Sequence, residues 1–269
     1  MVLGAYVHDK ELQECRIITM KIEVVSSLAE PVGKLWKELQ GSATSSGKIF
    51  YVSSPLSSTP RPIYEWIIEN SDTFENWNNV RFVLMDEQVE EKSHQFQYLD
   101  TSDPASYERF AKKYLLHPLE EKAGHPIPVV KPRLEDINSF NLERPIDLLI
   151  LALGVNGNYA NVMPNTDKSK SWHIAHLIQK FRTSHTQSGS NSYEGATFRE
   201  YGMSLGPQEV IASRHVVVIL SGEKKRALTA ELFSHNEFDP KFPLSIIYDP
   251  EVRDRVIIFV SEELGDLCL

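Results

Sequence analysis

The run from Pro145 to Gly154, "PIDLLILALG", constrains the fold more than any other part of the chain. It is the most apolar segment, and it is bounded by a proline and a glycine. A strand whose alternating residues are apolar on both faces must be covered on both sides, which is the situation of a central strand in a parallel sheet. Strand-like runs recur around it: "MKIEVVSS" from Met20, "KIFYVSS" (48–54), "NVRFVLMDE" (79–87), the run after Ser213 and "RVIIFVSEE" (255–263). Between them lie helical patterns: "LAEPVGKLWKELQ", "IYEWIIEN", residues 103–124 with Asp103 as N-cap and Pro104 at the first helical position, and the segment after Gly222. The alternation predicts an α/β fold, a doubly wound, mostly parallel Rossmann-like sheet with helices on both faces.

At 269 residues the chain has ample length for one sizeable core. Residues 1–19 read as an N-terminal extension and 20–269 as a single α/β domain, with a proline-containing linker at 126–133. "WHIAHLIQKF" (172–181) fits a strand or a helix, and the polar stretch 182–202 reads as a long loop. The net charge of −9 argues against a nucleic-acid surface, because a phosphate backbone demands clustered Lys and Arg. Small anions remain admissible, since two or three placed donors hold one phosphate. No window reaches the roughly 18 apolar residues of a membrane span, and the N-terminus lacks a signal-peptide pattern. The two cysteines, Cys15 and Cys268, give no disulfide framework, so a reducing, cytoplasmic compartment is expected. His173 and His176 are spaced for a metal on a helix, but no third ligand accompanies them, and no metal or cofactor is expected. Tyr64, Trp66, Trp77 and Trp172 are expected in the core. A homo-oligomer is left open.

Sites in parallel α/β sheets lie beyond the carboxyl ends of the strands, where strand order reverses. Four such ends carry usable chemistry. Ser57, Ser58 and Thr59 bring hydroxyls to a helix start, which suits an anion and equally suits a plain capping turn. Gly222 and Lys225 follow a strand. A lysine there pairs with a phosphate or simply sits in solvent, although a cation in a first helical turn opposes the helix dipole. Asp86 and Glu87 close an apolar run, as a general base of raised pKa or as a capping or ion-paired group. The turn "GVNGNYANVMP" from Gly154, with Asn156, Gly157 and Asn158, offers backbone N–H groups and amides to a polar ligand but transfers no proton.

In this order, these stretches resemble the glucosamine-6-phosphate deaminase/isomerase and 6-phosphogluconolactonase family, from about Met20 to the C-terminus. "LSSTPRPIYEWI" is similar to the family's phosphate loop and following helix, with Leu56 and Ser57 where glycines are usual. "FVLMDEQ" is similar to the "MDEY" of the deaminases, and "DPASYERFAKKYLL" to the helix after it. "LALGVNGNYANVMP" resembles the family's Asp-Gly-His loop, and "ILSGEKKRALTAEL" its glycine–lysine turn. The resemblance implies a sugar-phosphate ligand held by Ser57, Ser58, Thr59, Gly154, Asn156, Gly157, Asn158, Gly222 and Lys225. It also implies Asp86 as the base of an aldose–ketose isomerisation or deamination; Glu87 is expected as a second catalytic residue, a candidate for opening the sugar ring.

The departures matter. Asn156 stands where the family has Asp, Asn158 where it has His and Met163 where the deaminases have Glu. Tyr193 stands near a phosphate-contacting Arg, with Arg182 and Arg199 close by as substitutes. Asn158 accepts no proton, and a lost general base costs about 10²–10⁴ in rate. Three functions follow as expectations: an isomerase/deaminase working through Asp86, a catalytically inactive sugar-phosphate sensor or scaffold, and a lactonase-like hydrolase that would need a replacement base.

Overall fold

The computed structural model describes residues 20–179, 182, 193 and 195–268. A seven-stranded parallel sheet forms its centre, in the order β1 (Lys21–Val25), β11 (Val256–Ser261), β10 (Val216–Leu220), β7 (Leu148–Ala152), β2 (Phe50–Ser53), β3 (Val80–Val83) and β6 (Val129–Val130). The "LLILA" run is the middle strand, as its apolar character demands, and β10 beside it is buried at every position. The edge strand β1 instead exposes Ile22 and Val24. Helices flank the sheet: α1 (Ala29–Thr44), α2 (Arg61–Glu69), α3 (Tyr107–Ala111), α4 (His117–Ala123), α5 (Pro207–Ala212) and α6 (Arg226–Ser234).

The apolar run 79–87 is not one strand. β3 stops at Val83, and Asp86 opens a new strand, β4 (Asp86–Lys92), in a second sheet. This sheet is antiparallel, in the order β5 (Gln95–Tyr98), β4, β9 (Tyr201–Ser204), β8 (His173–His176). Ser93 and His94 link β4 to β5 with φ of 51° and 63°. Two successive left-handed residues give a hairpin turn whose twist matches the strands, but without the Asn-Gly pair that usually announces it. The two sheets share one apolar core, to which β4 contributes Val89 and β9 Met203.

Other expectations shift. The helix placed at 103–124 begins at Tyr107 with Ser106 as its N-cap; Asp103 instead receives Ala105 N–H in the preceding turn at 2.8 Å. A π-helical turn, Lys112–Leu116, joins α3 to α4 immediately before Pro118. A proline lacks an N–H and crowds the preceding turn, so a widened turn is the expected accommodation. The 126–133 linker contributes the short edge strand β6. The 172–181 segment supplies β8, which sets His173 and His176 on opposite strand faces. His173 is buried and its Nδ1 meets Ser171 O at 2.8 Å, whereas His176 is exposed and meets Glu200 at 2.8 Å. Among the described residues no group of three or more His, Cys, Asp or Glu could hold a metal ion. Much of the 182–202 stretch lies outside the described residues; its end forms β9.

Helix α2, which begins at the cleft described below, packs on α1 through a single missing side chain. A Cβ on Gly33 would lie 2.1 Å from the Trp66 ring. Gly33→Ala is therefore expected to lower stability by about 1–3 kcal/mol through overpacking, despite alanine's better helix propensity. Urea denaturation of the variant checks this; unchanged or increased stability would show that Trp66 moves aside freely.

Candidate functional site

Strand order reverses between β2 and β7: β3 and β6 lie to one side of them, β10 and β11 to the other. A crevice is required there, and the structure has one, of about 190 Å³. Its wall includes Ser57, Ser58 and Thr59 after β2, Met85 and Asp86 after β3, Gly154, Asn158 and Tyr159 after β7, and Lys225 after β10. Four loops that are far apart in sequence thus meet in one cleft. Seven of the candidate residues line it; Glu87, Asn156, Gly157 and Gly222 do not.

Asp86 and Glu87 are neighbours on a strand, so their side chains leave on opposite sides. Asp86 lines the cleft, 8% exposed, and its Oδ1 has no hydrogen-bond partner. Burial first, and the Glu87 charge second, hold its carboxyl well above the ordinary carboxylate range. Glu87 turns into the protein. Its Oε1 accepts Gln88 N–H and Tyr107 N–H, both at 2.7 Å; its Oε2 accepts Glu108 N–H at 2.8 Å and the Ser106 hydroxyl at 3.0 Å. It is a carboxylate cap on the first turn of α3, where free N–H groups and the helix dipole favour negative charge. Burial pushes its pKa up to about 7, against the opposing effect of those donors. Its oxygens are committed to the helix and to Gln88 N–H, and Glu87 does not line the cleft beside Asp86.

Lys225 closes a tight helical turn, Glu223–Lys225, just before α6. No carboxylate among the described residues lies within 4.0 Å of its ammonium, although the adjacent Arg226 pairs with Glu223 and Asp266. Burial lowers its pKa to about 8. Gly222 makes the turn possible with φ of 95°, but its N–H goes to Glu263 Oε1 at 2.9 Å, away from the cleft. At the opposite wall, α2 starts at Arg61 with no side chain capping its first N–H groups. Ser57, Ser58 and Thr59 stand just before that open helix end.

The 154–164 turn is braced from within. Asn158 Oδ1 accepts Asn156 N–H at 3.3 Å, Asn158 Nδ2 donates to Ala160 O at 3.1 Å, and Gly154 N–H reaches Asn158 O at 2.7 Å. Gly157, with φ of 70°, packs its Cα against Phe242, and a Cβ there would meet that ring at 2.5 Å. Asn156 and Gly157 shape the turn and do not line the cleft, and Asn156 Nδ2 is buried with no hydrogen-bond partner among the described residues. Met163 is buried with Ala175 and Leu177.

Three tyrosines complete the wall: Tyr107, Tyr159 and Tyr193. Nothing in their sequence surroundings distinguishes them from core aromatics. Tyr159 carries a buried hydroxyl with no partner. Tyr193 donates to Leu56 O at 2.5 Å, pinning the phosphate-loop candidate. Neither Arg182 nor Arg199 lines the cleft, and Arg199 is engaged by Asp103 at 2.7 Å. No helix among the described residues is long and apolar enough to cross a membrane.

A parallel sheet with a crevice at its switch point, walled by a helix start, a lysine and a buried acid, defines a doubly wound α/β protein with a candidate small-ligand site. The chain belongs to the glucosamine-6-phosphate isomerases/6-phosphogluconolactonase family, whose model matches residues 25–257. It is 25% identical to the glucosamine-6-phosphate deaminase of Clostridium beijerinckii over 258 residues, 92% of this chain and 99% of that protein. The match to the deaminase of Staphylococcus saprophyticus is 26% over 124 residues, and spans about half of each partner: 46% of this chain and 48% of that protein. Among solved structures, a monomeric glucosamine-6-phosphate deaminase superposes with a TM-score of 0.69 at 19% identity, covering 92% of this chain and all (100%) of that one. A 6-phosphogluconolactonase from Shewanella baltica superposes with a TM-score of 0.64 at 16% identity, covering 90% and 97%.

The two carboxylates should respond oppositely to mutation. Glu87→Ala strands four donors and is expected to cost about 2–3 kcal/mol, with Glu87→Gln costing less. Asp86 has a folded pKa above its unfolded one, so its ionisation destabilises the folded state as pH rises through the folded value. Asp86→Asn should therefore raise the melting temperature, more at about pH 8 than at about pH 4. Melting curves of the three variants at both pH values test the assignment; equal, pH-independent losses would contradict it.

Proposed function

We propose that the cleft binds a phosphorylated sugar, with the phosphate between Lys225 and the Ser57–Thr59 turn and the sugar carbon chain against Asp86. The observation that carries this reading is the convergence on one crevice of an uncapped helix start with hydroxyls and, among the described residues, a lysine without a carboxylate within 4.0 Å and a buried acid with an unpartnered oxygen. The names of the relatives, which are deaminases and lactonases of phosphorylated sugars, support the ligand class.

The chemistry open to such a site is proton transfer between adjacent carbons of an open-chain sugar phosphate, an aldose–ketose isomerisation, with amine loss where the sugar carries one. Asp86 would be the base. Burial and the Glu87 charge hold its carboxyl well above the usual range, and a cation beside it would favour its ionised form. The ammonium of an aminosugar at the carbon next to the carbonyl would supply that charge. Ring opening has no obvious agent: Asn158 stands where the resemblance places a histidine, and both ends of its amide are tied into the turn. That observation favours a second reading, in which the protein binds the sugar phosphate without turning it over. A lactonase would need a base to activate water, and Asn158 offers none.

Three substrates separate these readings: glucosamine 6-phosphate, fructose 6-phosphate with ammonium, and 6-phosphogluconolactone. Saturating sugar phosphate, at about 100 times its Kd, is expected to stabilise the protein by about 2.7 kcal/mol. Lys225→Ala should abolish that shift, and an unchanged affinity would overturn the phosphate assignment. Turnover of the aminosugar phosphate should be slow and should fall by about 10²–10⁴ in Asp86→Asn. Its rate should rise with pH as Asp86 ionises. Phosphate affinity should weaken above about pH 8 as Lys225 loses its proton. Binding without turnover at any pH would establish the second reading, and lactone opening that survives Asp86→Asn would refute both.

A further inference from the structure

The amino-terminal edge of the sheet carries a second pocket, of about 140 Å³, where β2, β7 and β10 begin. It lies at the opposite strand ends from the proposed sugar site and shares no residue with it. Lys48, Arg144 and Arg214 line it, together with His215, Ser42 and the carboxylate of Asp147.

Asp147 is almost fully buried and overcommitted. Its Oδ2 accepts Tyr51 N–H at 2.9 Å, while its Oδ1 faces Arg144 Nη2 at 2.9 Å and Arg214 Nε at 3.4 Å. One carboxylate is thus shared between two guanidinium groups. Lys48 has no carboxylate within 4.0 Å among the described residues. Arg144 also donates to Ile49 O at 2.9 Å, and its Nε is buried with no hydrogen-bond partner. Glu143, the nearest further acid along the chain, is engaged with Tyr51. The lining carries three fixed positive charges against one negative charge, in a chain whose net charge is −9. A local cationic surplus of this size is not explained by solubility or by the ion pairs themselves.

We infer that this pocket is a second anion site, which takes a dianionic oxyanion of the phosphate class. The surplus of two positive charges matches a phosphate dianion. The two guanidinium groups are already oriented by Asp147, so little side-chain freedom is lost on binding. Leu39, Ala43 and Phe50 give the pocket an apolar side, which admits the organic part of a phosphate monoester.

The test uses the full chain carrying Lys225→Ala, so that the sugar site does not contribute whatever its true ligand. Inorganic phosphate and phenyl phosphate are titrated by calorimetry, with the ¹⁵N–¹H resonance of Arg144 Nε followed by NMR. Saturable binding is expected, with a shift of that resonance, and tighter binding of phenyl phosphate would mark a monoester as the preferred form. Arg214 and Lys48 are exposed, so Arg214→Ala and Lys48→Ala are compatible with folding. Each should weaken binding by about tenfold, as expected for loss of one charge-assisted hydrogen bond. No saturable binding to the Lys225→Ala protein, or an affinity unchanged in the Arg214→Ala/Lys48→Ala combination, would overturn the inference.

Discussion

The grip of Glu87 on the first turn of α3 is the constraint on which the cleft depends. Four donors from Ser106, Tyr107, Glu108 and Gln88 converge on one buried carboxylate. That contact fixes the start of β4 against a helix twenty residues further along the chain. Strand alternation then leaves the preceding residue a single direction. Asp86 faces the crevice because Glu87 faces the helix. The same contact sets Tyr107 on the crevice wall and holds the junction between the parallel and antiparallel sheets.

The electrostatics of the cleft follow from this placement. Burial holds the Asp86 carboxyl well above the ordinary carboxylate range and lowers the Lys225 pKa to about 8, and among the described residues Asp86 Oδ1 has no hydrogen-bond partner and Lys225 no carboxylate within 4.0 Å. A buried group without a partner is destabilising unless something else completes it. A ligand carrying an anion at one end and a cation or polar carbon chain at the other would complete both. By contrast, the carboxylates of Glu87 and Asp147 are satisfied by neighbouring protein groups, and they hold the structure together.

The parallel sheet was legible because its central strands are apolar at every position, a pattern that β7 and β10 show without interruption. The second sheet was not. β4 reads "DEQVEEK", burying charged and polar residues at its start, β5 reads "QFQY" with one wet face, and Ser93–His94 turn without the glycine that advertises a hairpin. Of the site, Ser57, Ser58, Thr59, Asp86, Gly154, Asn158 and Lys225 were placed together because each follows a strand. The cap that Glu87 makes on α3 was not legible, because its helix partners are remote in sequence. The wall tyrosines escaped because an aromatic ring lining a cleft and one lining a core leave the same trace in sequence. Gly157 and Gly222, with φ of 70° and 95°, bend the chain and, like Asn156, do not line the cleft.

The turn from Gly154 to Pro164 is pinned at several points, by Phe242 against Gly157, by Leu244 N–H on Gly157 O at 2.8 Å, and by Asn161 Nδ2 on Met203 O at 3.1 Å. Its conformational entropy is surrendered during folding, before any guest arrives. On the proposed reading, recognition at this rim would be closer to lock and key than to a closing hand. A molecule of the wrong outline would meet a wall that does not remodel itself, and selectivity would reside in shape as much as in charge.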